Sequence, residues 1–85
     1  MLEDALTHLV RGIVDNPEDV RVSSRADRSD RGSRGGRSLA VRVNPEDMGR
    51  VIGRAGRTAT ALRAVMAAVN GGRAVRIDFL DVTER

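Results

Sequence analysis

Two glycines separated by two residues, in Gly53-Arg54-Ala55-Gly56, are the part of this 85-residue sequence best suited to hold a ligand. Glycine adopts dihedral angles that other residues resist, and it leaves room for a ligand to approach the main chain. Arg57 follows and opens a stretch with helical periodicity, whose free N–H groups and dipole favour an anion. Arg54 and Arg57 add positive charge at the same place, so the pattern predicts a phosphate site.

The charges of the chain are unevenly distributed, although the net charge is only +3. Residues 48–77 contain six Arg and no acidic residue, for a net charge of +6, whereas residues 1–47 carry −1 and residues 78–85 carry −2. All the basic residues are Arg, and Phe79 is the only aromatic residue. A basic second half predicts one positive face, which suits a polyanion. The alternative, a solvated helix surface, would usually mix acidic residues among the Arg residues.

Three segments have the apolar periodicity of helices. Residues 2–14 carry apolar side chains at three- and four-residue spacing, and Asp15-Asn16-Pro17 should end this helix. Asn44-Pro45-Glu46-Asp47 is a strong start for a short helix that ends at Gly53. A third helix is predicted over 57–69, with a buried side that contains Ala59, Leu62, Val65, Met66 and Val69.

Alternating apolar and polar residues predict three strands, over 20–23, 39–43 and 75–79. Residues 25–37 are rich in Arg, Asp, Ser and Gly and predict a flexible hairpin loop, and the tail 81–85 is expected to fray. Asn-Pro-Glu-Asp occurs twice, at 16–19 and 44–47. A strand follows one copy and a helix the other, so we interpret both as local turn chemistry rather than a true repeat.

The element order α-β-β-α-α-β predicts an α+β fold with two layers, in one domain over 1–85. The crossover through two helices should leave the second and third strands parallel, with the first strand antiparallel to the second. Three helices then cover one face of a three-stranded mixed sheet. The other face is open and presents Arg21, Arg42, Arg76 and Asp78.

The Gly-x-x-Gly loop, the Val51-Ile52 before it and the element order together resemble a type II KH domain. The whole stretch 44–59, Asn-Pro-Glu-Asp-Met-Gly-Arg-Val-Ile-Gly-Arg-Ala-Gly-Arg-Thr-Ala, is similar to the small bacterial KH proteins of the KhpA (YlqC) family. A bare Gly-x-x-Gly is a weak motif, since a helical hairpin can use Gly for its turn alone. The similarity covers the chain from the first helix to about Phe79. The 25–37 segment departs from it, because relatives have a shorter hairpin.

The resemblance implies binding of single-stranded RNA over about four nucleotides, with the phosphates clamped by the Gly-x-x-Gly main chain. It implies an RNA chaperone or post-transcriptional regulator, often in complex with a larger KH protein, KhpB, and linked to cell elongation and envelope homeostasis. Bases would lie in a groove whose aliphatic floor is drawn from Val51, Ile52, Ala59 and Leu62. The expected RNA contacts are Arg50, Ile52, Gly53, Arg54, Ala55, Gly56, Arg57, Thr60 and Arg63.

Two other functions stay open at this point. The domain could mainly pair with itself or with the larger KH protein, with nucleic-acid contact secondary, or it could prefer single-stranded DNA. The five Arg residues at every third position of 25–37 fit either a disordered arm for phosphates or a tolerated insertion.

Residues that could do other chemistry are few. There is no Cys, His8 has no partner, and neither metal spacing nor a base beside a Ser occurs, so we predict no enzyme, cofactor or metal site. The first residues are acidic where a signal peptide would be basic, and no apolar run reaches the length of a membrane span. We expect a cytoplasmic protein without a membrane partner or small-molecule substrate.

Overall fold

The computed structural model describes residues 2–25 and 37–83 of the protein. The predicted loop at 25–37 lies outside the described residues except for its two ends, which belong to strands. Short 3-10 turns occur at Pro17–Asp19, Pro45–Asp47 and Arg54–Gly56. The helices and strands follow the predicted order: α1 (Leu2–Arg11), β1 (Arg21–Arg25), β2 (Arg37–Val43), α2 (Met48–Ile52), α3 (Arg57–Val69) and β3 (Val75–Asp81).

The three strands form one mixed sheet in the order β1-β2-β3. β1 pairs antiparallel with β2, and β2 pairs parallel with β3, as predicted from the crossover. Val22 lies opposite Val41, and Leu39 lies opposite Ile77, so these apolar residues of the three strands share one face.

Helices cover this apolar face of the sheet. Leu39, Val41 and Val43 of the central strand are completely buried. They belong to one hydrophobic cluster with Leu6 and Val10 of α1, Val51 of α2, and Leu62 and Met66 of α3. Burial of this apolar surface is the main favourable term in folding, and it fixes α2 and α3 on the sheet. The predicted two-layer α+β architecture is confirmed.

The first helix is shorter than the sequence predicted. α1 ends at Arg11, and the N–H of Gly12 is shared between the carbonyls of His8 and Leu9, at 3.3 and 3.2 Å. The periodicity misled the prediction over 12–14, because turns rather than a helix carry Val14 into the core.

Two other predictions of burial and order were wrong. Val65 and Val69 of α3 were expected in the core, but they are 46% and 55% exposed, and only Ala59, Leu62 and Met66 of that helix are buried. The tail was expected to fray from Asp81, but Asp81 ends β3 and the N–H of Val82 donates to the carbonyl of Val43 at 2.8 Å. Residues 84–85 lie outside the described part of the chain.

Candidate nucleic-acid interface

The Gly-x-x-Gly segment is a tight turn between α2 and α3 with an unusual backbone. Three of its four residues have positive φ: Gly53 (φ 77°, ψ 170°), Ala55 (φ 56°, ψ 26°) and Gly56 (φ 75°, ψ 14°). The dihedral angles of Gly53 belong to a region that only glycine populates, and Ala55 is a non-glycine residue in the left-handed region. The turn thus stores local strain, which is a common property of ligand-binding loops.

The two glycines are required for different reasons. A Cβ on Gly53 would collide with Thr58, at 2.7 Å from both its Cβ and its main-chain nitrogen and closer still to its hydroxyl. A Cβ on Gly56 would meet nothing within 4 Å. Gly53 therefore allows the loop to pack on the start of α3, whereas Gly56 leaves open space beside the main chain.

The turn presents hydrogen-bond donors that the fold does not use. Gly53 and Gly56 donate to the carbonyls of Gly49 and Gly53, at 2.8 and 3.1 Å, but within the described residues the N–H groups of Arg54 and Ala55 donate no main-chain hydrogen bond. These two donors lie just before the N-terminus of the 13-residue helix α3, where the helix dipole is positive. An anionic oxygen is the ligand that such donors favour.

The Arg side chains beside the turn are available to a ligand. Arg54 and Arg57 are exposed, and neither guanidinium has a hydrogen-bond or ion-pair partner among residues 2–25 and 37–83. Arg50 differs, because its Nη2 lies 2.9 Å from Oδ2 of Asp15. Both side chains of this pair are more than half exposed, so a phosphate could compete with the Asp15 carboxylate for Arg50.

The aliphatic residues of the predicted groove divide into core and surface. Val51, Ala59 and Leu62 are 0%, 3% and 5% exposed, so they belong to the core and offer almost no surface to a ligand. Ile52 is half-buried at the end of α2 and packs against the core from its edge. Of the four predicted floor residues, Ile52 alone presents substantial apolar surface.

The two predicted contacts on α3 differ in their surroundings. Thr60 is exposed, one turn after the loop. Arg63 is exposed too, but its Nη2 donates to the carbonyl of Ile77 on β3 at 3.3 Å, and its guanidinium carbon lies 5.9 Å from the ring centre of half-buried Phe79. This cation–π contact was not predicted from the sequence, because it joins residues of two elements that only the folded chain brings together.

Both copies of the repeated Asn-Pro-Glu-Asp form 3-10 turns, as their turn chemistry predicted, and they also bind each other. The side-chain amide of Asn16 donates to Asp47 at 3.1 Å, and that of Asn44 donates to Asp19 at 3.0 Å. The exchange is reciprocal, with the Asn of each copy bound to the Asp of the other. It fixes the start of α2, and therefore the Gly-x-x-Gly turn at its end, to the segment after α1.

Asp47 is the buried centre of this contact, with 1% exposure. Burial alone raises the pKa of its carboxyl, because the charged form loses water. The N–H of Asp15, the side chain and N–H of Asn16, and the charge of Arg50 more than offset this and hold the pKa below its ordinary value. Asp47 is therefore a carboxylate at neutral pH, and each of its three hydrogen bonds comes from the segment after α1.

Over 2–25 and 37–83, no group of three or more His, Cys, Asp and Glu side chains is arranged to hold a metal ion. None of the helices described is both long and apolar enough to cross a membrane.

Comparison with known proteins identifies the family. The family model described as "KhpA/KhpB, KH domain" matches residues 3–78. A protein of Streptomyces coelicolor named "RNA-binding protein KhpA" is 61% identical over 82 residues, which are 96% of this chain and 95% of that protein. Proteins of the same name from Leifsonia xyli and Mycobacterium tuberculosis are 57% and 54% identical, over 95% of this chain and 99% and 92% of their own lengths. The matched region contains both helices and the turn described above, and the chain belongs to the KhpA/KhpB family of KH-domain proteins.

Proposed function

We propose that the protein binds single-stranded RNA through the main chain of Gly53-Arg54-Ala55-Gly56, with the guanidinium groups of Arg54 and Arg57 on the phosphates. The observation that carries the proposal is the pair of N–H donors on Arg54 and Ala55 that make no main-chain hydrogen bond within the described residues, beside two Arg side chains without a partner in the same part of the chain. Backbone donors and Arg together satisfy phosphate oxygens without reading base identity. The relatives named "RNA-binding protein KhpA" support RNA as the polymer.

Bases then lie beside the turn, over Ile52 of α2 and the exposed side of α3 that carries Thr60 and Arg63. Arg50 joins the contact when a phosphate replaces its Asp15 partner. This arrangement suits short, sequence-tolerant contact, as expected of an RNA chaperone or post-transcriptional regulator in the cytoplasm. Assembly with a larger KH protein, KhpB, and a link to cell elongation and envelope homeostasis are part of the same proposal.

A double substitution in the turn tests the proposal directly. Arg54→Asp with Ala55→Asp places two acids against the expected phosphates, and Asp tolerates positive φ better than Ala, so the fold should persist. Arg73 and Ala74 provide a matched control, because they form an exposed Arg-Ala pair in the segment between α3 and β3. Arg73→Asp with Ala74→Asp changes the net charge equally at a different site.

Binding of a single-stranded tetranucleotide is measured for both double variants by fluorescence anisotropy. We expect the turn variant to lose nearly all affinity and the control to retain most of it. Equal losses would mean that affinity follows net charge alone, which would overturn the proposal. Competition between matched RNA and DNA oligomers tests the third function considered, a preference for single-stranded DNA.

A second candidate function, pairing with another copy of the chain, is favoured by the exposed side of α3. Val65 and Val69 lie one turn apart on that helix, and exposed alanines flank them at Ala61, Ala64 and Ala68. The stripe carries no charge, so two copies can meet across a two-fold axis without burying an ionised group. Small side chains permit close approach of the two helices.

Sedimentation of the pure protein tests this pairing. Val65→Glu should shift the protein to monomer, because dimerisation would bury two carboxylates. Val82→Glu is the matched control, since Val82 is also exposed but lies after β3. A wild-type protein that is monomeric at high concentration would refute self-pairing and leave the stripe to a heteromeric KH partner.

A further inference from the structure

The face of the sheet that points away from the helices contains a group of Arg residues that the proposed RNA contact does not use. Strand residues alternate between the two faces, and the register places the outward positions of the three strands side by side. We call these positions the outer face. Its described side chains are Arg21, Ser23, Ser38, Ala40, Arg42, Arg76, Asp78 and Leu80.

Charge on the outer face is predominantly positive. Arg21 and Arg42 are directly opposite each other on β1 and β2. Two like charges at such positions repel each other and destabilise the isolated protein. Arg76 belongs to the same face on β3, four residues before Leu80, the register partner of Arg42. Four residues of strand span about 13 Å, so the guanidinium groups cover a broad surface.

A single carboxylate interrupts this positive surface. Among the acidic residues that the structure describes, only Asp78 occupies an outward strand position. The other acids lie in the first turn of α1, beside or within the two Asn-Pro-Glu-Asp turns, and at the helix-facing end of β3. Apart from Asp78, the acids of residues 2–25 and 37–83 therefore lie away from the outer face, which favours an anionic partner.

The edge strand β3 connects the outer face to the proposed RNA contact. Arg63 of α3 reaches its free edge, where it donates to the carbonyl of Ile77. Arg76, the residue before Ile77 on β3, belongs to the outer face. Arg63, Arg76, Arg42 and Arg21 thus follow one another from α3 across all three strands. An RNA strand that leaves the helical side over this edge therefore meets Arg side chains on each β-strand, with Asp78 as the one described acid among them.

We propose that the outer face is a second, sequence-independent contact for RNA phosphates, used by strands longer than the four nucleotides that the Gly-x-x-Gly site holds. The inference rests on the proposed function for the identity of the polyanion. It assigns Arg21, Arg42 and Arg76 to the backbone of the RNA and assigns no residue to base recognition.

The salt dependence of binding tests the proposal with two RNA lengths. Each phosphate contact on a single strand contributes about 0.7 to the slope of log affinity against log salt concentration. For an oligomer of about 16 nucleotides, Arg42→Gln should reduce the slope by about 0.7, and the triple change of Arg21, Arg42 and Arg76 to Gln by about 2. Arg11→Gln, an equal charge change at an exposed position that ends α1, should leave the slope unchanged.

The tetranucleotide separates this inference from the proposed function. Its affinity should change little in the outer-face variants, because the Gly-x-x-Gly contact is intact. A wild-type protein that fails to bind the tetranucleotide would refute the proposed function. Normal tetranucleotide binding with equal long-RNA slopes for Arg42→Gln and Arg11→Gln would overturn the outer-face contact alone, and would leave that face to a protein partner.

A substitution that strengthens binding completes the test. Asp78→Asn removes the one described acid of the outer face and should raise affinity for the long oligomer more than for the tetranucleotide. Asp4→Asn makes the same charge change at an exposed position in the first turn of α1 and serves as the control. Damage to the fold cannot produce a selective gain, so equal effects of the two substitutions at both RNA lengths would refute the proposal.

Discussion

Substitution of the two loop glycines by alanine should separate the folding role of the turn from its binding role. Gly53→Ala forces a side chain into a glycine-only backbone conformation, which costs about 1–3 kcal/mol. The new Cβ also meets Thr58 at 2.7 Å. Overpacking of this kind costs about 1–3 kcal/mol more. The total of about 2–6 kcal/mol is a large part of the stability expected for a domain of this size, about 4–13 kcal/mol.

Gly56→Ala is the matched control, because it adds the same methyl group at nearly the same φ. The group meets nothing within 4 Å, so only the left-handed backbone contributes, about 1–2 kcal/mol. That methyl group occupies the space through which RNA would approach the main chain. We therefore expect Gly56→Ala to weaken RNA binding more than its small effect on folding would imply.

Urea unfolding followed by far-ultraviolet circular dichroism measures both effects, since the chain has no Trp or Tyr for fluorescence. Thr58→Ala should rescue Gly53→Ala only in part, because it removes the hydroxyl but leaves the Cβ and the main-chain nitrogen at 2.7 Å. Equal destabilisation by the two glycine substitutions, or complete rescue by Thr58→Ala, would refute this account of the turn.

Three further outcomes are expected. The pKa of Asp47 is lower in the folded state than in the unfolded chain, so the ionised carboxylate stabilises the fold above about pH 4, where unfolded Asp ionises, and this contribution is lost as the pH falls through the folded pKa. Asp47→Asn should therefore remove much of the acid dependence of the urea midpoint. An unchanged dependence would contradict this role of Asp47. Asp15→Asn breaks the exposed pair with Arg50 and should change the free energy of unfolding by less than about 1 kcal/mol, as urea unfolding can verify. Ala55→Gly should be nearly neutral, since relief of about 1–2 kcal/mol of strain offsets the added entropy of the unfolded chain; a loss above about 2 kcal/mol by the same measurement would disprove the strain.

Local chemistry made much of the fold predictable. The bounds of α3, Arg57–Val69, agree with the predicted helix from about Arg57 to Val69, because Gly56 and Asn70-Gly71 end or separate helices by backbone preference alone. The crossover rule gave the strand pairing correctly. The end of α1 was missed because the apolar period continues past Gly12, and periodicity does not distinguish a helix from a turn that also buries its last residue.

Contacts between distant segments could not be predicted. The reciprocal binding of Asn16 to Asp47 and of Asn44 to Asp19 joins residues 31 and 25 positions apart. The repeated tetrapeptide was visible in the sequence, but pairing between its copies follows from where the sheet and α1 place them. The exposure of Val65 was missed for a similar reason. The apolar stripe of α3 is wider than the part of the sheet and helices on which it packs, so the side chains at its edge, such as Val65, stay exposed.

In the proposed complex, a nucleic-acid backbone rests on the main chain of the turn between α2 and α3. Titration of the protein with a single-stranded RNA tetranucleotide, followed through the amide chemical shifts, tests it most directly. We expect the N–H signals of Arg54 and Ala55, which make no main-chain hydrogen bond within the described residues, to move most and those of Arg73 and Ala74 to stay in place. Saturable binding that leaves the signals of residues 53–57 unmoved would contradict it.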